Sequence, residues 1–120
     1  ILLSKGTVDL YNPKVVKSTM GAIFRMDIQR DVNLEEAIPR LKEHDIAVYA
    51  AHLKGEKSHY DCNFKRGTCL LMGNEGNGLR SEIAALASEY MIIPMKAEAE
   101  SINVAMATGI LIYEAIRQRR

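Results

Sequence analysis

The chain has 120 residues, of which 48% are hydrophobic and 26% are charged. This composition is typical of one globular domain and unlike that of disordered or fibrous proteins. Sixteen Lys and Arg residues against fifteen Asp and Glu residues leave a formal net charge of +1, which excludes the strong positive field of a dedicated nucleic-acid-binding module. Any affinity for nucleic acid must therefore be local or supplied by another part of the protein.

The two cysteines, Cys62 and Cys69, have neither the spacing of a zinc site nor that of a disulfide framework. We therefore expect free thiols, no metal and a cytoplasmic location. The sequence has no apolar run of membrane-spanning length and no signal peptide, so we expect no membrane partner. The chain enters an apolar stretch at Ile1 without an initiator Met. We expect a single domain over residues 1–120 that is truncated at its N-terminus.

Helical and strand patterns alternate along the chain, which predicts an α/β domain with a mostly parallel sheet and helices on both faces. The first helix is predicted to start after Asn12, because Asn is a good N-cap and Pro13 suits the first helical position. It should end near Gly21. The apolar residues 22–24 then predict a short strand.

The second helix is predicted to start after Asn33, with Glu36 completing an arrangement like a capping box. Pro39 predicts a kink or an early end of this helix, because proline has no backbone N–H to donate. Residues 46–51 read as a buried strand. Residues 52–67 read as a polar connection.

The C-terminal half has the clearest pattern. It predicts, in order, a strand at 68–72, a glycine-rich turn, a helix at about 80–88, a strand at 91–95, an acidic loop and a long helix at 102–118. Core packing is the expected role of most of the apolar positions of the long helix, which are Val104, Ala107, Ile110, Leu111 and Ala115.

The glycine-rich segment GNEGNG at 73–78 lies between a predicted strand and a predicted helix, where parallel sheets usually bind ligands. It has neither the GxGxxG pattern of dinucleotide sites nor the Lys-Ser/Thr ending of a phosphate loop. A tight turn with no ligand is an equally good interpretation of this segment alone. Glu75 within it could cap the next helix.

A second polar group, from Glu100 to Asn103, opens the long helix, where Ser101 is an ordinary N-cap choice and Asn103 falls in the first turn. The sequence shows no pair of nucleophile and base. Chemistry that uses an activated cosubstrate and depends on positioning would suit such a chain. The three histidines, His44, His52 and His59, lack partners at suggestive spacing, so we expect no catalytic role for them.

Basic residues cluster twice, and for both clusters we favour a solvated surface over a nucleic-acid contact. The first cluster consists of Lys54, Lys57, Lys65 and Arg66, and the second of Arg117, Arg119 and Arg120.

Two segments, LLMGNEGNGLRSE at 70–82 and IIPMKAEAESINVAMATGILIYEAIRQR at 92–119, closely resemble the second and third signature motifs of SpoU/TrmH RNA methyltransferases. This family is a branch of the SPOUT superfamily. The block LLSKGTVDLYNPKVVKSTMGAIFR at 2–25 is also similar to the segment that precedes these motifs in bacterial members. The resemblance therefore covers nearly the whole chain, and two paired motifs in the right order make it specific.

This resemblance implies an α/β fold with a C-terminal deep trefoil knot, an exception to the rule that chains do not knot. It implies S-adenosylmethionine as the cofactor, held in the knot largely by backbone groups. The residues expected to bind it are Ala50, Ala51, Met72, Gly73, Asn74, Gly76, Gly78, Ile93, Pro94, Met95, Ile102 and Ala105.

By the same resemblance, Glu75, Ser101 and Asn103 are the catalytic candidates, which order the site and the substrate ribose. The resemblance implies that the family's remaining motif, N-x-G-x-x-x-R, would lie before the first residue of this chain. Its Arg is the main candidate for assisting the 2'-hydroxyl. Arg25 superficially resembles this Arg, but it belongs to a different block and is not assigned the role.

The resemblance thus implies methyl transfer from S-adenosylmethionine to a ribose 2'-hydroxyl of rRNA or tRNA by a homodimer, without a metal. One alternative is a catalytically inactive RNA-binding or assembly module that keeps the knotted fold. Another is an α/β domain that binds a different nucleotide, such as NAD or ATP. The last alternative predicts that the chain binds NAD or ATP in preference to S-adenosylmethionine, and a comparison of the three compounds distinguishes it from the first two hypotheses.

Overall fold

The computed structural model describes residues 1–96 and 101–120. Most of the predicted acidic loop, including Glu100, lies outside these residues. The chain forms two compact units, Ile1–Ala37 and Ile38–Arg120. The prediction that residues 1–120 make a single domain stays a prediction. In the described part of the chain, no helix has the length and apolar character needed to cross a membrane.

The first unit contains two parallel strands, β1 (Leu2–Ser4) and β2 (Gln29–Val32), and between them the helix α1 (Pro13–Ser18). The side chain of Asn12 accepts a hydrogen bond from the Lys14 backbone N–H at 2.9 Å, so the predicted start of α1 is confirmed. The helix ends at Ser18, before the predicted position.

The prediction of a strand at 22–24 is wrong, because these residues form one turn of 3-10 helix. Gly21 has a φ of +85°, which turns the chain into this helix. The Phe24 and Arg25 amides then donate to the carbonyls of Gly21 and Ala22 at 3.2 and 2.9 Å. Apolar character alone could not distinguish a strand from a short buried turn.

The next helix, α2 (Leu34–Glu43), begins as predicted, since the Asn33 side chain accepts from the Glu35 backbone N–H at 3.0 Å. Pro39 lies inside this helix, so of the two predicted outcomes the early end is wrong and the kink stays a prediction. After α2, Asp45 adopts a left-handed φ of +58°. The helix thus ends on a recognised C-terminal cap geometry rather than at the proline.

The second unit is built on a four-stranded parallel sheet. Its strands are β3 (Ala47–Ala51), β4 (Lys57–Ser58), β5 (Thr68–Leu71) and β6 (Glu89–Ile92), in the spatial order β4-β6-β3-β5. Its remaining elements are a 3-10 turn (His59–Asp61) and the helices α3 (Ser81–Ala84) and α4 (Val104–Gln118). The predicted α/β class with a parallel sheet is confirmed.

The first four residues of the central strand β3 are buried, with Val48 and Ala50 0% exposed and Tyr49 4% exposed. Side chains alternate between the two faces of a strand, so both faces of the sheet are covered. The core on one face brings β3, β6 and α4 together with the 3-10 turn region. Its members are Ala47, Tyr49, Cys62, Phe64, Met91 and Leu111.

The interpretation of residues 52–67 as a polar connection is incomplete. This segment contributes strand β4 and three buried side chains, His59, Cys62 and Phe64. The ring of Phe64 packs edge-on against Tyr49 with centroids 5.1 Å apart. Buried residues that are scattered in a polar segment have no periodicity, so sequence patterns did not reveal them.

Strand β6 begins earlier than predicted and ends at Ile92, and α3 is shorter than the predicted helix. Ser88 accounts for the shift, because its backbone N–H donates to the Val48 carbonyl at 2.7 Å and its hydroxyl accepts from the Val48 N–H at 3.0 Å. These two bonds start the pairing of β6 with β3 at a polar residue.

Candidate functional site

Three neighbouring strands of the second unit end at the same edge of the sheet. Ala50 of β3 pairs with Leu71 of β5, and Ala51 pairs with Met91 of β6. Because the strands are parallel, the segments that follow them lie side by side at the carboxyl edge, the usual ligand position in such sheets. The edge collects ten of the expected cofactor-binding residues, namely Ala50, Ala51, Met72, Gly73, Asn74, Gly76, Gly78, Ile93, Pro94 and Met95.

The side chains of Ala51, Met72 and Ile93 pack against the core of the second unit. Their apolar atoms are thus engaged inside the protein, and at these three positions the strong hydrogen-bonding groups are the backbone N–H and C=O groups. An adenine ring offers donors and acceptors along its edge that such backbone groups could match. The arrangement fits a ligand recognised mainly through the backbone.

The glycine-rich loop is closed on itself by its own polar groups. The Gly78 N–H donates to the Asn74 carbonyl at 3.0 Å, and the Asn77 N–H donates to the Asn74 side-chain oxygen at 2.6 Å. Gly78 has a φ of +63°, which favours glycine. The Asn74 side-chain oxygen therefore shapes the loop.

Gly73 lies where the loop returns against itself. A Cβ atom on Gly73 would be 2.4 Å from the Gly78 carbonyl carbon and 2.5 Å from the Leu79 nitrogen. Both contacts are with backbone atoms, which cannot move aside as a flexible side chain can. At Gly76, by contrast, the nearest atom would be the Asn74 side-chain oxygen at 3.7 Å. The loop thus needs glycine at 73 for steric reasons.

Asn103 joins this loop to the start of α4. Its Nδ2 donates to Glu75 Oε1 at 2.7 Å, while its Oδ1 accepts from the Ala105 and Met106 backbone N–H groups at 2.9 and 3.3 Å. Asn103 is therefore the N-cap of the helix. The prediction that Ser101 caps this helix is wrong, because the helix begins two residues later than expected.

The structure brings together two of the three catalytic candidates, Glu75 and Asn103, and the backbone N–H of the expected cofactor residue Ala105 donates to Asn103 Oδ1. Ser101 is exposed and Ile102 is partly buried, directly before the cap. Within residues 1–96 and 101–120, no hydrogen bond links the Ser101 side chain to Glu75 or Asn103. The geometry therefore singles out one pair.

His52 also follows β3 at the carboxyl edge, and sequence reasoning gave it no role. Its ring stacks on Tyr90 with centroids 4.7 Å apart, and its Nδ1 accepts from the Lys54 backbone N–H at 3.1 Å. No sequence signal marked this position, because the stacking partner is 38 positions away along the chain and is brought near by the pairing of β3 with β6.

The thiols of the second unit are not poised for nucleophilic chemistry. Burial raises the pKa of the Cys62 thiol and of the Cys69 thiol, so both are neutral near pH 7. Both cysteines are free, as expected. In the parts of the chain that the structure covers, no group of three or more His, Cys, Asp or Glu residues is placed to hold a metal ion.

Known proteins resemble this chain in sequence and in structure. The chain is 37% identical over 107 residues to the tRNA (guanosine(18)-2'-O)-methyltransferase of Escherichia coli, a match that covers 88% of this chain and 47% of that protein. It is 33% identical over 108 residues to the 23S rRNA (guanosine-2'-O-)-methyltransferase RlmB of Xylella fastidiosa, with 90% and 43% covered. The chain thus spans less than half the length of these relatives.

Among solved structures, the SpoU methyltransferase AviRb from Streptomyces viridochromogenes in complex with the cofactor AdoMet superposes with a TM-score of 0.90. The sequence identity is 30%, and the match covers 98% of this chain and 49% of that one. A sequence model of the SpoU rRNA Methylase family matches residues 1–113. The chain therefore belongs to the SpoU rRNA methylase family.

Proposed function

We propose that this chain is the S-adenosylmethionine-binding and methyl-transferring part of an RNA ribose 2'-O-methyltransferase that acts on rRNA or tRNA. The observation that carries the proposal is the bond between Glu75 and Asn103, which joins the glycine-rich loop to the start of α4 at the carboxyl edge of the sheet. Relatives of the same family are RNA 2'-O-methyltransferases, and AviRb has been crystallised with AdoMet.

The cofactor would lie at the carboxyl edge, against the loop 73–78, the segment 93–95 and the residues around the α4 cap. Bound there, S-adenosylmethionine would supply a methyl group on a positively charged sulfur. Transfer to a ribose forms a bond from the 2'-oxygen to the methyl carbon, returns the C–S electron pair to sulfur and releases the hydroxyl proton. A basic group must take up that proton.

In this proposal Glu75 and Asn103 are positioning residues. Their bond fixes the position of the glycine-rich loop relative to the start of α4, so that backbone groups of both segments would hold the cofactor in a single conformation. Ser101, which is exposed beside this pair, is the candidate for contact with the substrate ribose. Holding the reacting atoms in line accounts for much of the rate of a transfer that needs no covalent intermediate with the protein.

We also propose that the protein is a homodimer through α4. Ala107 and Leu111 point into the core, whereas several large apolar side chains of α4 lie on its outer surface. Contiguous exposed apolar residues are typical of interaction surfaces, and a two-fold interface can use the same surface twice. The residues that we assign to it are Met106, Ile110, Ile112, Tyr113 and Ile116, which are 38% to 74% exposed.

The proposed fold includes a deep trefoil knot in the C-terminal segment, in line with the high structural similarity to AviRb. We also propose a cytoplasmic location, with which the free thiols of Cys62 and Cys69 are consistent.

The test is calorimetric titration of this 120-residue chain with S-adenosylmethionine and with its demethylated product, S-adenosylhomocysteine. A Gly73→Val variant serves as the control, because the added side chain cannot fit beside Gly78. Saturable binding of both compounds that is lost in the variant supports the proposal. If the folded wild-type chain binds NAD or ATP in preference to both compounds, the proposal is wrong.

Methyl transfer itself is tested with radiolabelled S-adenosylmethionine and unmodified tRNA and rRNA transcripts. A 2'-O-methyl group blocks alkaline cleavage at the modified nucleotide, which distinguishes it from methylation of a base. Cofactor binding together with RNA binding but without transfer, in a protein of complete length, would instead favour the catalytically inactive module.

A further inference from the structure

The end of α4 that lies farthest from Asn103 is held against the segment before β5. Arg119 Nε donates to the Phe64 carbonyl at 2.7 Å, and its Nη2 donates to the Arg66 carbonyl at 3.0 Å. These bonds bring part of one basic cluster, Lys65 and Arg66, close to part of the other, Arg119 and Arg120. We name the resulting group the basic end, which consists of Lys65, Arg66, Arg119 and Arg120.

The basic end concentrates positive charge in a protein that has little of it overall. It has four cationic side chains, of which Arg66 is ion-paired, with its Nη2 2.8 Å from Asp45 Oδ1. The whole chain has a formal net charge of only +1, so the remainder is negative on balance. A local excess of this kind attracts polyanions even when net charge does not.

The donors of the basic end remain available to a ligand. The Arg66 side chain is 47% exposed, and Lys65 and Arg120 are exposed as well. A guanidinium group has five N–H donors, of which Arg119 uses two for the backbone carbonyls. A guanidinium that is already held in place loses less conformational freedom when it binds a phosphate. The cluster is thus partly organised before any ligand arrives.

We propose that the basic end is a second contact site for RNA, which binds backbone phosphates away from the edge where the methyl group is transferred. Helix α4 has 15 residues, so its length of roughly 20 Å separates the basic end from Asn103. A folded RNA is large enough to reach both. Recognition by Lys and Arg positions the RNA without reading its sequence.

This inference rests on the proposed function, because RNA is the substrate assumed there. Its test nevertheless measures RNA binding directly and does not depend on methyl transfer. The test variant is Lys65→Gln with Arg66→Gln and Arg120→Gln. It keeps Arg119, whose bonds hold the end of α4, and it loses only an exposed ion pair to Asp45, which contributes little to stability.

The matched control removes the same number of positive charges from exposed positions in the first unit, through Lys5→Gln, Lys14→Gln and Lys17→Gln. Fluorescence anisotropy of a labelled single-stranded RNA and of an unmodified tRNA transcript is measured over a range of salt concentrations. We expect the test variant to bind at least about tenfold more weakly at low salt. The slope of the logarithm of the binding constant against the logarithm of the salt concentration should become less steep by about two, because three phosphate contacts are lost. The control should stay within about twofold of wild type.

Equal losses in the two variants would overturn the proposal, because net charge alone would then explain the binding. Wild-type affinity in the test variant would also overturn it and would leave the basic end as a solvated surface. Calorimetric titration with S-adenosylmethionine separates this result from the proposed function. A wild-type chain that binds RNA through the basic end but does not bind the cofactor contradicts the proposed function alone.

Discussion

The side chain of Asn103 connects two parts of the site because each of its polar atoms has a different partner. Nδ2 donates to Glu75 Oε1 at 2.7 Å, and Oδ1 accepts from the backbone at the start of α4. One amide therefore sets both the position of the glycine-rich loop and the first turn of the helix. Aspartate has the same shape and keeps the capping oxygen, but it has no donor for Glu75.

The first prediction separates these two functions. Asn103→Asp should keep the helix cap, so its thermal stability should stay near that of wild type, because a carboxylate is favoured at a helix N-terminus. It should weaken S-adenosylmethionine binding by about tenfold or more, since it places a second negative charge against Glu75. Asn103→Ala loses the cap as well, and its free energy of unfolding should fall by about 1 kcal/mol. We expect its methyl transfer to fall by more than about tenfold.

The matched test adds Glu75→Gln to Asn103→Asp, which reverses the direction of the hydrogen bond and removes the repulsion. Recovery of cofactor affinity in the double variant would show that the two residues act as a pair. If Asn103→Asp alone binds the cofactor as wild type does, the pair has no positioning role.

The second prediction concerns Gly73, for which Gly109 provides a control. Gly73→Ala places a Cβ about 2.4 Å from the backbone of Gly78, so the loop must open and cofactor binding should be lost.

Gly109 lies inside α4, and a Cβ added there would meet no neighbouring group within 4 Å. Gly109→Ala should raise the free energy of unfolding by roughly 0.5–1 kcal/mol and leave cofactor binding unchanged. Calorimetry and urea denaturation of both variants check this. Full cofactor affinity in Gly73→Ala would contradict the steric argument.

The sequence predicts the position of the glycine-rich loop in the fold better than the contacts that this loop makes. The strand before GNEGNG and the alternation of elements were enough to place the loop at the carboxyl edge, because both depend on local patterns. The cap of α4 was assigned to Ser101 instead of Asn103. Both residue types suit an N-cap, and the choice between them depends on Glu75, 28 positions earlier in the chain.

Strand β2 and the burial of His59, which the sequence patterns do not predict, also depend on residues that are distant along the chain. Strand β2, with the sequence QRDV, has no apolar alternation and exists because β1 pairs with it. His59 is 2% exposed although it lies in a polar segment. Its burial and the strand pairing come from tertiary contacts, which local propensity does not encode.

The third prediction tests the proposed dimer surface on α4. Tyr113 is 74% exposed on that surface, and Leu53, which lies away from it in the sequence, is 85% exposed. Tyr113→Glu should shift the sedimentation equilibrium strongly toward the monomer, because it buries a charge in an apolar interface. Leu53→Glu introduces the same charge at a site that we expect to stay in solvent, and it should leave the equilibrium unchanged. A monomeric wild-type chain, or equal effects of both changes, would remove the interface from α4.

The last prediction concerns the buried carboxylate of α4. Glu114 is 6% exposed, and it accepts hydrogen bonds at 2.8 Å from Arg117 Nε, Arg117 Nη2 and Gln118 Nε2. The bonds from Arg117, followed by the bond from Gln118, lower the pKa of Glu114 from 4.5 to about 2. The charged carboxylate therefore stabilises the folded state above pH 4.5, and this contribution is lost as the pH falls toward 2.

Glu114→Gln keeps the shape but has no charge for Arg117, so it should be less stable than wild type at pH 7. The difference in the free energy of unfolding, measured by urea denaturation, should shrink steadily between pH 4.5 and 2. A difference that stays constant over that range would mean that the Glu114 carboxylate does not titrate as these hydrogen bonds require.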